Sequence, residues 1–292
     1  MKMIMRGHKA IGCILAVLSI AVVCFLLNGC GSSGISPKST VNDYSWSELS
    51  AISDEISEAD DFDEAIQIAG KYNLVTDEGK LDGTQTKDVE LSDGRVVQVE
   101  ISGFFHDDRE DGSKTGIAFI FKDAIAKQRM NSDESNEGGW EDSSLRSWLN
   151  SDGLDLLPDN LKGVIVPVKK LTNNVGETEM VSSVTVTVDS LWLYSTAELC
   201  GRVELFKGKF SFCNDVLDTE GYQYRLFRDA GTSIDVESGA LVRDLDGKSC
   251  SWWERSAKPN GSESFYSVSD DVASSKGSDP ENEFGVVPGF CI

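Results

Sequence analysis

Histidine is nearly missing from this sequence of 292 residues: His8 and His106 are the only two, and His8 lies in a segment that reads as a leader. With His106 alone downstream, set in an acidic run, no Ser–His–Asp or Cys–His pair can be assembled. H-E-x-x-H and C-x-x-C are both absent, so the usual spacings of zinc hydrolases and structural zinc sites are missing. There is no P-loop. Basic residues are also scarce, 27 Lys and Arg against 49 Asp and Glu, for a net charge of −22. Nucleic acid and anionic lipid headgroups both need a basic face, so neither is expected as a partner. The acidity reads first as a means of keeping an exported chain soluble, with cation binding as the functional alternative. Two carboxylates would suffice for a glycosidase, which this many acids neither support nor forbid.

What is present begins with an address. Lys2, Arg6 and Lys9 precede an apolar run from Ile11 to Leu27, which ends at Leu27-Asn28-Gly29-Cys30. This pattern predicts a bacterial lipoprotein signal peptide over 1–29, lipidation of Cys30, and a tether over 30–43 that contains Gly31-Ser32-Ser33-Gly34. A plain membrane anchor of marginal length is the alternative. The expected location is the bacterial cell envelope, with the domain outside the cytoplasm and held to the membrane by lipid. Cys200, Cys213, Cys250 and Cys291 remain. In an exported chain they allow two disulfides, with buried free thiols as the other reading. Cys200 with Cys213, and Cys250 with Cys291, are the pairs expected, the first on chain proximity alone.

Trp46, Leu49, Ile52 and Ile56 lie at helical spacing within Tyr44–Ala59, and a second helix is predicted from Phe62 to Tyr72. Leu74 to Lys87 reads as a loop. Val89 and Leu91, a Ser92-Asp93-Gly94 turn, and Val97, Val99 and Ile101 predict a hairpin. His106 to Gly112 is an acidic turn. It matches a calcium loop poorly, because counting from Asp107 puts Arg109 and Ala118 where oxygen donors are needed. Gly116 to Phe121 is an apolar strand. Gly138-Gly139-Trp140 leads into a helix capped by Asp142 or Ser143, with Leu145, Trp148 and Leu149 on its buried face and Arg146 pairing to a carboxylate beneath. Val164–Val168 and Val184–Val188 are predicted strands, and Leu191 to Leu199 runs from strand into helix with Ser195 or Thr196 as cap. Tyr222 to Phe227 is aromatic and basic. Ser251–Ser256 and Phe265–Val268 are strands, Ser274–Glu283 a polar loop and Phe284–Ile292 a closing strand.

Six motifs recur here in an order that resembles the domain of unknown function 6273 family of bacterial surface proteins. They are Ser45-Trp46-Ser47-Glu48-Leu49, Phe105-His106-Asp107-Asp108, Gly138-Gly139-Trp140 with Leu145–Asn150, Leu191-Trp192-Leu193, Trp252–Ser256 and Gly285–Ile292. The resemblance extends over roughly 44–292, with the family's usual Leu replaced by Glu254. It implies one α+β domain similar to the C-type-lectin-like fold in its formylglycine-generating-enzyme form, with short helices packed on twisted antiparallel sheets and termini close together. It also implies a ligand surface near the C-terminus.

Within that region the candidate ligand-binding residues are Trp253, Glu254, Arg255, Tyr266, Asp270 and Asp271, because strand alternation turns one of each neighbouring aromatic pair outward. The expected function is an extracellular binding or adhesion module for a glycan or protein. A carbohydrate-active or oxidative enzyme and a structural envelope protein are the alternatives. No catalytic residue, metal ligand or cofactor is assigned.

Overall fold

The first helices form where their caps place them. Ser45 accepts from the Glu48 N–H while the Glu48 carboxylate accepts from the Ser45 N–H, a reciprocal box that opens α1 (Trp46–Ser57). Asp61 caps α2 (Phe62–Lys71) in the same position. The protein is described by a computed structural model over residues 34–202 and 213–292. The expected signal peptide and Cys30 lie outside the described residues. Packing starts before Tyr44: Val41 is buried, and Lys38 pairs with Glu48 at 2.6 Å. Residues 38–43 are thus part of the domain, although the sequence assigned them to the tether.

Two sheets organise the rest. The first holds β1 (Thr86–Glu90), β2 (Val96–Phe104), β3 (Ile117–Phe121) and, from the far end of the chain, β13 (Gly289–Cys291), all antiparallel in that order. The second runs in the order β11 (Val272–Ser278), β10 (Phe265–Ser269), β9 (Trp252–Ala257), β12 (Phe284–Val286), β4 (Ala126–Gln128). Its pairs are antiparallel except β9 with β12. Two ribbons join β5 (Val168–Asn173) to β6 (Val184–Asp189) and β7 (Asp244–Leu245) to β8 (Lys248–Ser249). Short helices fill the gaps: α3 (Ser144–Trp148), α4 (Asp159–Lys162), α5 (Thr196–Cys200), α6 (Cys213–Asp218) and α7 (Arg225–Asp229). The class is α+β, as expected.

Several local expectations are corrected. The closing stretch is two strands, because Pro288 has no N–H to continue a ladder; β12 stays in the second sheet and β13 crosses to the first. The supposed polar loop from Ser274 begins inside β11, whose alternating serines hid a strand that pairs with β10 across an Asp270-Asp271 turn. Val166 makes a lone bridge to Cys291, and the ladder proper starts at Val168. Ser143, not Asp142, caps α3. Trp148 is only half-buried; the fully buried indole is Trp140, which donates to Asp189 at 3.0 Å. Arg146 meets the same carboxylate at 2.7 Å, as the sequence suggested.

Helix α1 meets the last strand. The Ser53 hydroxyl in α1 donates to the Ile292 carbonyl and accepts from the Ile117 N–H at 2.9 Å. One apolar cluster runs from Val41 to Ile292 and includes the Trp46, Phe119 and Phe290 rings, so the described residues form a single compact unit. No helix among the described residues is long and apolar enough to cross a membrane.

Candidate functional site

The surface expected around the Trp-Trp strand does not exist. Trp253, Glu254, Arg255 and Tyr266 are each fully buried. Alternation exposes every second side chain only when one sheet face is wet. β9 lies inside its sheet with both faces covered: Trp252 donates to Leu241 O at 2.9 Å and Trp253 to Gln128 O at 3.0 Å. Asp270 and Asp271 remain near the surface, but as the β10–β11 turn, where Asp270 takes φ = 55°. The six candidates therefore do not form one site.

What the strand carries instead is a buried charge network. Arg255 donates to Thr172 Oγ1 (2.8 Å), Leu193 O (2.7 Å), Leu171 O (3.1 Å) and Glu220 O (3.0 Å), and to the Glu198 carboxylate. Those five bonds use every N–H of the guanidinium. The other Glu198 oxygen lies 2.6 Å from Lys170 Nζ, which also meets Asp107 at 2.8 Å and the Tyr224 hydroxyl at 3.0 Å. Tyr224 donates to Asp107 at 2.7 Å. Burial acts to raise the Asp107 carboxyl, but the Lys170 charge and these hydrogen bonds outweigh it and hold it low. Glu198 is likewise held low against burial, by Arg255 and then Lys170.

Two further carboxyls complete the cluster. Glu220 accepts from the Asn173 N–H at 2.9 Å and from Ser256; burial pushes it up to about 7, against the pull of Arg255. Glu254 accepts from Thr196 at 2.5 Å, while its Oε1 meets no partner among the described residues, and burial pushes it up to about 8. With both protonated, Lys170 and Arg255 balance Asp107 and Glu198, which is how so many charges fit in a dry interior. Glu254 thus behaves as a neutral side chain.

The network surfaces at His106. Its ring stacks on Tyr224 at 3.6 Å between centroids, and Tyr222 covers its other side at 4.0 Å. The Tyr222 hydroxyl donates to His106 O at 2.8 Å. Tyr222 is 56% exposed and is the only aromatic side chain more than a third exposed among the described residues. Burial pushes the His106 imidazole down to about 4, with Asp107 pulling the other way, so it is neutral at neutral pH.

This column stands at the edge of a cleft of about 470 Å³ lined by Phe62, Phe105, His106, Tyr222, Arg225 and Arg228, with Asp60, Asp61 and Lys114 at its rim. Phe105 holds φ = 52° as the chain leaves β2, a left-handed backbone state that bulky residues seldom take. The Arg225 and Arg228 guanidinium groups sit 5.3 and 5.5 Å from the Phe62 ring centroid. A flat apolar ring beside charged and hydrogen-bonding groups suits recognition. The sequence marked 222–227 as aromatic and basic, but nothing in it joined that tract to a histidine 116 residues earlier.

The remaining candidates resolve individually. Cys200, Cys250 and Cys291 carry free thiols, so the Cys250–Cys291 disulfide is not formed; the Cys213 side chain lies outside the described residues. Cys291 Sγ instead sits 3.3 Å from both Thr115 Oγ1 and Asp107 Oδ2. The acidic turn does not converge on a cation: Asp107 points inward, Asp108 pairs with Lys114 at 2.9 Å and Asp111 accepts from Ser113 at 2.7 Å. No group of three metal-ligating side chains occurs among the described residues.

Neither the curated proteins nor the solved structures compared with this chain gave a match. A family model described as "Domain of unknown function (DUF6273)" matches residues 115–292. The match takes in the Trp-Trp strand, Lys170, Glu198 and Tyr222 and begins after His106 and Asp107. It covers more than half of the sequence, and the chain belongs to that family.

Proposed function

We propose that the chain is a lipoprotein of the bacterial envelope, anchored through Cys30, whose domain binds an extracellular glycan or protein in the cleft beside His106 and Tyr222. The observation that carries this reading is the exposed Tyr222 ring, packed against His106 and backed by a buried ion-paired base, at the edge of a cleft lined by Phe62, Arg225 and Arg228 with Asp60, Asp61 and Lys114. Aromatic platforms next to hydrogen-bonding groups bind sugars and peptides because stacking orders no flexible side chain. The C-type-lectin-like relationship belongs to this proposal too: mixed short sheets, small helices and the contact between α1 at Ser53 and the last residue, Ile292, support it.

The test is a glycan and extracellular-protein array probed with residues 32–292, beside Tyr222→Ala and Trp253→Ala. Selective binding abolished by Tyr222→Ala, in a protein that stays folded, is the expected result. Binding that survives Tyr222→Ala, or silence on both arrays, would count against a module working through this cleft.

A further inference from the structure

A second cavity lies across α7 from the cleft. Arg225 and Arg228 face the cleft, whereas Leu226, Asp229 and Ala230 line a separate space of about 380 Å³ together with Leu81, Glu100, Lys122, Val242 and Arg243. The volume falls in the range of small-molecule pockets. At its base sits an ion pair that is only partly satisfied. Arg243 is 1% exposed, and its Nη1 donates to Val242 O at 2.8 Å. Its Nη2 is 3.0 Å from Glu100 Oε1, close enough for charge attraction, yet neither Nη2 nor Nε finds an aligned hydrogen-bond acceptor among the described residues. Buried donors without acceptors are rare, and each costs free energy until something supplies one.

The other polar groups of the cavity show what is wanted. The Asp229 carboxylate already accepts from the Leu81 N–H at 3.0 Å and from Arg225 at 2.7 Å. Asp82 accepts from the Thr84 hydroxyl at 2.6 Å and from its N–H. Lys122 donates to Gly83 O at 3.1 Å, which leaves two of its three N–H groups. Arg243 and Lys122 therefore hold donors without an aligned acceptor among the described residues, and with Asp229 paired to Arg225 the lining cations Lys80, Lys122 and Arg243 exceed the carboxylates Asp82 and Glu100 by one. Leu81, Leu226, Ala230 and Val242 give the rest of the wall an apolar character.

We propose that this cavity is a second binding site, for a small monoanion that carries a carboxylate on a compact apolar body. The carboxylate meets the Arg243 and Lys122 donors, and the body packs between the loop at Leu81 and α7. Arg243 lies over Trp252, 5.7 Å from the ring centroid, so an occupant also reorients a guanidinium that rests on the central strand of the second sheet.

The test uses residues 32–292, labelled with nitrogen-15 and titrated with isovalerate as probe and isoamyl alcohol as its uncharged counterpart. The expected result is saturable shifts at residues 81–83, 226–230 and 239–243 and at the Arg243 Nε–H signal, with the alcohol at least about tenfold weaker. Ala240→Trp, which fills the mouth, should abolish the response. Lys122→Met should weaken it about tenfold with an unchanged thermal midpoint, and it keeps the test open if the tryptophan variant does not fold. No saturable response at these residues would overturn the proposal, as would an equal response to acid and alcohol or one that survives both substitutions. A lone ordered water on Arg243 would produce the first of these outcomes.

Discussion

Two buried arginines in this domain face glutamates, and they are satisfied to very different degrees. Arg255 and Arg243 are both within 1% of complete burial. Arg255 spends all five N–H groups on Thr172, Leu193, Leu171, Glu220 and Glu198. Arg243 makes one aligned bond, to Val242 O, and a charge contact with Glu100. The difference separates structure from site. A guanidinium with nothing left to donate locks β9, β5 and α5 together and has no chemistry to offer a ligand. One with idle donors at the base of a cavity is held in place incompletely, and an occupant can complete it.

The largest expected effect tests that contrast directly. Arg255→Met leaves Lys170 as the one cation beside buried Glu198 and takes the donor from four backbone or hydroxyl acceptors, so it should lower the unfolding free energy by roughly 3–5 kcal/mol. Arg243→Met removes one aligned bond, and Glu100, whose carboxyl burial already raises, can protonate in response. Its cost should be roughly 1–2 kcal/mol. Urea unfolding of the two variants beside the parent measures both. Equal losses would break the comparison and make Arg243 a structural residue like Arg255.

A smaller effect sharpens it through pH. The folded-state values of Glu220, about 7, and Glu254, about 8, lie above the ordinary carboxylate range. The folded protein thus keeps two protons that the unfolded chain has released by pH 6. The stability they provide is complete below the unfolded value and is lost as pH rises through the folded ones. His106, held down to about 4, works in the opposite sense, but only below its unfolded value of about 6.5. Between pH 6.5 and 8, then, the parent should lose roughly 2 kcal/mol. Glu254→Gln, which cannot ionise, should remove most of that slope. A slope unchanged by Glu254→Gln would mean that Glu254 is charged in the fold and that the neutrality of the network is wrong.

How legible all this was in the sequence follows from the range of the interactions. Turns and single helices are local, and the helical spacing of Trp46, Leu49, Ile52 and Ile56 announced α1 within a few residues, as the predicted Phe62–Tyr72 helix did α2. The family motifs carried the resemblance, and the α+β class came with it. What the sequence could not supply was which face of a strand stays dry. Trp252–Ser256 reads as a half-exposed strand until its neighbours in the sheet, β10 and β12, are known, so its polar residues were assigned to a surface when they belonged to the interior. The serines of β11 hid a strand for a related reason: an edge strand needs no apolar run. The actual cleft joins Phe62, His106, Tyr222 and Arg228 from three distant stretches, and only tertiary packing brings them together. The same holds for the cavity at Arg243, whose partners at 81, 100, 122 and 226 share no spacing.

The smallest effect on stability should accompany the largest effect on binding. Trp253 is fully buried, packs 4.7 Å from the Phe284 ring and donates to Gln128, so Trp253→Ala should cost roughly 3–5 kcal/mol by leaving a cavity and an unmatched carbonyl. Tyr222 is more than half exposed, and its contribution to the fold is one hydrogen bond to His106 O and one stacking contact. Tyr222→Ala should therefore cost about 1 kcal/mol or less, measured by the same urea unfolding. If the cleft is the site, that nearly silent substitution abolishes array binding, while Trp253→Ala weakens it only in proportion to the protein it unfolds. Should the two variants lose binding strictly in step with their lost stability, ligand recognition would depend on the fold as a whole, and the His106–Tyr222 column would be a surface end of the ion network with no further role.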